Sequence, residues 1–128
     1  MFGRVMRASG SVSSSHLSPG SVVLAYLQNP REKFWGVLIG IDPSGVTLRG
    51  IDLRSFDDWL RSHSSSGAVE IGPSTAFYPL SRVEKILLDE ECDGVPSLDA
   101  QCVARTGRGA VELLMSPAAH EAASGGGQ

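Results

Sequence analysis

The densest apolar stretch in the chain is Phe34–Leu53, FWGVLIGIDPSGVTLRGIDL. Phe34–Ile41 is apolar at nearly every position apart from Gly36 and Gly40, the pattern of a short strand covered on both faces. Glycines four apart would each cost a helix about 1 kcal/mol, whereas in a strand they mark bends or close backbone approach. Asp42-Pro43-Ser44-Gly45 then supplies turn chemistry, with Pro presetting φ at the second position and Gly permitting the reversal to close. The return segment starts Val46-Thr47-Leu48-Arg49, alternating cleanly. After Gly50 the apolar phase slips to Ile51 and Leu53, which predicts a one-residue β-bulge at Gly50.

On either side the pattern continues. Ser21–Leu27 is a β-rich run of strand length, and Gln28–Lys33 is a polar turn around Asn29-Pro30, so three strands follow in meander order. In Arg54–His63, Ser55 and Asp58 form a capping box, Asp57 and Asp58 favour the first turn, and Phe56, Trp59 and Leu60 fall on one stripe. This predicts a helix over 55–62, released by Ser64–Gly67 into a loop. Ala68–Ile71 reads as an extended stub, Thr75–Tyr78 as a fourth strand stopped by Pro79, Leu80–Val83 as a single turn, and Glu84–Asp89 as a fifth strand. Beyond the acidic cluster Asp89, Glu90, Glu91 and Asp93, Ser97 N-caps a helix with Asp99 in its first turn, ending near Thr106 at Gly107. Ala110–Met115 carries Val111, Leu114 and Met115 at helical spacing. The implied organisation is a disordered tail over 1–19, a small barrel over 20–91, a helical extension over 92–115 and a second disordered tail over 116–128. The fold expected is mainly β: bent and bulged strands suit a small, tightly curled five-stranded barrel better than a flat sheet.

Composition narrows the chemistry. With 128 residues and a net charge of −3, the chain is one domain with no bulk polycationic character. No run approaches the roughly 20 apolar residues that span a bilayer. The serine- and glycine-rich start has no apolar h-region, so the expectation is a cytoplasmic protein with reduced thiols. His16, His63 and His120 fall on a tail, a loop and the other tail, where none is fixed as a general base. Cys92 and Cys102 have no metal-ligand spacing. Asp57/Asp58 and Glu90/Glu91 are neighbours whose side chains diverge rather than converge on an acid pair. With no nucleophile-elbow, phosphate-loop or dinucleotide motif, the expectation is a non-enzyme without cofactor or metal.

Two binding readings remain. For nucleic acid, Arg49, Arg54, Arg82 and Lys85 flank the strands, while Phe34, Trp35, Trp59 and Tyr78 offer faces for either base stacking or the core. Arg105-Thr106-Gly107-Arg108-Gly109 reads equally as a phosphate-contacting loop or a helix C-cap. For protein association, a small barrel has edges that are either blocked or used for pairing. Phe56, Trp59, Leu60, Leu98, Val111 and Leu114 carry more apolar surface than the barrel obviously needs, for docking on the barrel itself or on another copy. The reading preferred is a homo-oligomeric scaffold or regulatory interaction module, with single-stranded RNA binding as the alternative.

Gly36-Val37-Leu38-Ile39-Gly40-Ile41-Asp42 resembles the first motif of the Sm-like (Lsm/Hfq-type) small barrels, with Ile41 in the aromatic place. Tyr78–Ile86 is similar to the second motif in position and apolar rhythm. The resemblance covers roughly Ser21–Asp89 and implies a five-stranded barrel and ring-like assembly through edge strands. Val46 stands where the family has a pocket asparagine, and no Arg-Gly pair follows Tyr78, so the family's uridine pocket is not carried over. An SH3-like barrel of another lineage fits the same residues.

Overall fold

A computed structural model describes residues 17–64 and 72–116. The extended stub at 68–71, the predicted tails apart from residues 17–19 and 116, His16 and His120 lie outside the described residues. Five strands form a single antiparallel sheet: β1 Val22–Leu27, β2 Glu32–Asp42, β3 Gly45–Asp52, β4 Ser74–Pro79 and β5 Val83–Leu88, in the order β4-β3-β2-β1-β5. A 3₁₀ turn, Leu53–Ser55, leads into α1 (Phe56–Ser64); α2 (Leu98–Thr106) and α3 (Ala110–Met115) follow β5.

The meander β1-β2-β3 is as expected, and the Asp42–Gly45 reversal is made by a carboxylate. Asp42 Oδ1 accepts from Ser44 N at 2.8 Å, Ser44 Oγ at 2.6 Å and Gly45 N at 3.3 Å. Those bonds, the Ser44 hydroxyl foremost, hold its carboxyl below the usual carboxylate range. The bulge is not at Gly50. β3 pairs with β2 continuously from Asp52 to Leu48, and the register shifts on β2 instead, between Leu38 and Gly40 at Ile39. The phase slip has another cause: the sheet is buried on both faces. Val46 and Leu48 point to one core, with Val23, Ala25, Leu27, Phe34 and Leu38. Ile51 points to the other, with Trp35, Val37, Phe56, Trp59, Leu60, Cys102, Ala110, Leu113 and Leu114. Both parities are apolar because both are covered, and no extra residue is needed.

Gly36 and Gly50 face one another across β2 and β3. A Cβ on Gly36 would strike the Arg49 carbonyl and come within 2.8 Å of the Gly50 Cα; one on Gly50 would strike the Trp35 carbonyl. The strands therefore cross closer than any side chain permits, which lets the sheet curl at its centre.

The closed barrel expected over 20–91 is corrected: the sheet is curled but open. β4 and β5 are consecutive in sequence yet occupy opposite edges. A flat sheet would hold its edge strands about 19 Å apart, whereas the 3₁₀ turn Leu80–Arg82 joining them spans only about 8 Å over four steps. The sheet has to roll until its edges meet at that corner. There Leu80 N donates to Ser44 O at 3.2 Å and Gln28 N to Arg82 O at 2.8 Å. The edges meet only there, and Pro79 has no N–H with which to start a ladder. β4 and β5 therefore stay unpaired with one another.

The three helices cover the second face. Phe56, Trp59 and Leu60 are buried, and Trp59 packs edge-on to Trp35 with ring centroids 5.5 Å apart. Asp89 fixes the layer: its carboxylate accepts Leu98 N and Asp99 N at 2.8 Å each and Trp35 Nε1 at 3.3 Å. Ser97 caps α2 as read from the sequence, with Oγ accepting Ala100 N at 3.0 Å, and Gly107 ends it in the left-handed region. Asp99 Oδ1 then accepts Ala110 N at 2.7 Å, so each carboxylate starts the next helix.

Candidate functional site

Chemistry-bearing residues are scattered or already engaged. His63 lies in the last turn of α1, not on a loop, with its ring 4.8 Å from that of Trp59. Burial, and secondarily the Arg108 charge, lowers its pKa. Cys102 is buried in the helix-side core, where desolvation pushes its thiol up to about 12; Cys92 is exposed. Among the described residues no three His, Cys, Asp or Glu side chains gather to hold a metal, and no helix is long and apolar enough to cross a membrane.

The four basic residues singled out in the sequence go to different places. Arg49 donates through Nε to the Leu114 carbonyl at 2.9 Å and through Nη1 to Thr75 Oγ1 at 3.5 Å, fastening the end of α3 to the sheet. Arg82 donates to Gln28 O at 2.7 Å, Pro30 O at 3.1 Å and Glu32 Oε2 at 2.9 Å, so its guanidinium clamps the β1–β2 turn. Arg54 projects into solvent and pairs with Asp52 at 3.1 Å. Lys85 lies with Nζ 4.8 Å from the Tyr26 ring centroid, and Lys33 approaches the same ring at 5.0 Å. The Arg105–Gly109 loop is a C-cap, with Arg108 paired to Glu112.

Arg54 and Lys85 nevertheless border adjoining clefts. One of about 420 Å³ is lined by Arg31, Glu32, Lys33, Leu53 and Arg54. The other, about 220 Å³, adds Tyr26, Leu27, Glu84 and Lys85 and shares Arg31, Glu32 and Lys33. Arg31 and Lys33 carry no sequence signal beyond their turn position. What gathers them is the curl that brings the β1–β2 turn, the start of β5 and the residues after β3 to one end.

Of the six apolar residues expected at an interface, Phe56, Trp59, Leu60 and Leu114 are buried in the chain's own helix-side core, and Leu98 packs against it. Val111 stays exposed. With both faces covered, the sheet's free backbone lies on its edges. Among the described residues neither the outer side of β4 nor that of β5 has a strand partner. Phe77 on β4 is 53% exposed and Leu87 on β5 41%. A scan against protein-family models, a search of curated proteins and a search of solved structures each return no match.

Proposed function

We propose that this chain is a non-catalytic interaction module that self-associates through the rims of its sheet, serving as a scaffold or regulatory adaptor. The observation that carries the reading is the pair of six-residue edges without a strand partner among the described residues, on a sheet whose faces are already covered. An open edge offers a row of N–H and C=O groups that another strand satisfies at little cost in reorganisation. The placement of the reactive side chains supports the non-catalytic half: the Cys102 thiol is buried and protonated at neutral pH, and His63 spends its ring on Trp59. In the Sm-like resemblance, assembly through edge strands is likewise the expected mode. Light scattering on the full chain tests it: a mass above 13.5 kDa at micromolar concentration is expected, and a strict monomer at high micromolar concentration overturns it.

A second reading, binding of single-stranded RNA, is favoured by the cluster Arg31, Lys33, Arg54 and Lys85 around the two clefts. Three phosphate contacts there would give log K against log[salt] a slope of about −2. Lys33→Glu and Lys85→Glu should abolish that binding. Arg82 is the wrong residue to vary, because its loss loosens the turn itself. Absence of salt-dependent binding at low ionic strength ends this reading.

A further inference from the structure

The two edges that lack a strand partner among the described residues are not equivalent. β5 carries the devices by which natural sheets discourage a new strand. Its ladder with β1 shifts register between Tyr26 and Leu27, leaving Glu84 as an extra residue. Glu84 and Lys85 both stand exposed on the strand, and the Lys85 stem is drawn over Tyr26. β4 has none of these. Ser74-Thr75-Ala76-Phe77-Tyr78-Pro79 contains no charge and pairs with β3 in six consecutive steps without a shift, and only its last residue lacks an N–H. A regular, uncharged edge is a template.

The register shows what lies beside it. Thr75 is opposite Arg49 and Phe77 opposite Thr47, so both side chains stand on the helix-side face. Arg49 spans from Thr75 Oγ1 to the Leu114 carbonyl, which puts the last turn of α3, with exposed Met115, one side chain away from the edge. The helix-side face of the strand thus carries the exposed Phe77, whose ring lies over Gly45, and beside Thr75 the Arg49 bridge to the end of α3.

Resting on the self-association reading, we propose that β4 pairs antiparallel with β4 of a second copy about a two-fold axis, joining two five-stranded sheets into one. The strand fits itself: an axis at Ala76 sets Thr75 of each copy against Phe77 of the other, a β-branched residue against an aromatic one, twice. The count stops at two. Each copy spends its one receptive edge on the axis, whereas a ring or filament needs β5 as the complementary edge.

Light scattering on the full chain, with the Phe77→Lys, Phe77→Glu and Leu87→Lys variants, tests this. Wild type is expected at twice the 13.5 kDa chain mass. Either Phe77 variant should raise the dissociation constant about tenfold or more, and mixing the two should restore a pair, because the axis brings Lys within side-chain reach of Glu. Leu87→Lys should leave the dimer intact. Circular dichroism confirms that each variant is folded; should a Phe77 variant unfold, Thr75→Lys, at an exposed position, gives the same readout. An assembly of more than two copies, or a dimer lost with Leu87→Lys and kept with Phe77→Lys, overturns the two-fold pairing and leaves self-association standing. A monomeric wild type overturns both.

Discussion

Replacing Asp89 with alanine should loosen the whole helical layer, and the size of the effect can be worked from three hydrogen bonds. The Asp89 carboxylate accepts the first two amides of α2, from Leu98 and Asp99, at 2.8 Å each. Removing an N-cap oxygen costs about 0.5–2 kcal/mol. The same carboxylate takes the Trp35 indole N–H at 3.3 Å, and Trp35 is fully buried, so alanine strands a buried donor at about 1–3 kcal/mol. Together these give about 1.5–5 kcal/mol, a large share of the roughly 5–15 kcal/mol typical of a domain. An asparagine side chain at this position keeps one acceptor oxygen, enough for Asp99 N and the Trp35 indole, but turns its NH2 toward Leu98 N and loses that bond, at about 0.5–2 kcal/mol. Asp89→Asn should therefore be milder than Asp89→Ala, because the buried indole keeps its acceptor.

Urea unfolding measures the difference, with the midpoint falling and the slope unchanged if the native state stays compact. Hydrogen exchange locates it: amides at Leu98, Asp99 and Ala100 should lose protection in Asp89→Ala, and the Trp35 indole resonance should move. The loss should spread to α3, because Asp99, placed by those bonds, in turn holds Ala110 N at 2.7 Å. If Asp89→Ala costs under about 0.5 kcal/mol with α2 still protected, the carboxylate relay does not hold the layer.

Three further outcomes rest on the geometry. Gly36→Ala and Gly50→Ala should each cost about 3 kcal/mol or more, because the methyl meets a backbone carbonyl that cannot yield. Gly40→Ala, with nothing within 4 Å of its Cβ, should cost far less in the same denaturation series. The His63 pKa is lowered in the folded chain, so the unfolded chain binds the proton more tightly. Stability should fall as pH drops below 6.5, and the slope should vanish in His63→Phe; direct titration by NMR checks the sign. Cys102 has the opposite sense: its pKa is raised from 9.0 to about 12, so its contribution is complete below pH 9 and is lost between pH 9 and 12, a slope that Cys102→Ala should remove. A thiol reagent at neutral pH should accordingly label Cys92 quickly and Cys102 only after unfolding.

Where one physical signal dominated, the sequence was legible. The turn at Asp42–Gly45, the caps Ser97 and Gly107, and the Phe56–Trp59–Leu60 stripe each depend on residues within one turn of one another, and the structure places them where that chemistry demands. The Gly50 bulge failed because the return strand was read with one buried face, although its partner Phe34–Ile41 already carried the pattern of a strand covered on both. An apolar residue at either parity then had to be forced inward, and a bulge was the only local device for doing so. The same assumption hid Asp89, whose partners Trp35, Leu98 and Asp99 lie 54, 9 and 10 residues away, and the gathering of Arg31 with Lys33, Arg54 and Lys85, which the curl alone brings about.

The correction at Gly50 also bears on where the protein can act. Had one face of the sheet been free, Phe56, Trp59 and Leu60 could have docked elsewhere and the face itself would be the natural contact surface. Because β2 is buried on both sides, that apolar area is spent within the chain. What stays without a partner among the described residues is backbone, at β4 and β5, and backbone hydrogen bonds are directional in a way that a greasy face is not. Association through β4 would therefore be specific in register while burying little apolar surface, so it should weaken with added denaturant less steeply than folding does. An association whose denaturant slope matches that of global unfolding would show instead that the monomer has no stable fold of its own, and that the sheet is completed only in company.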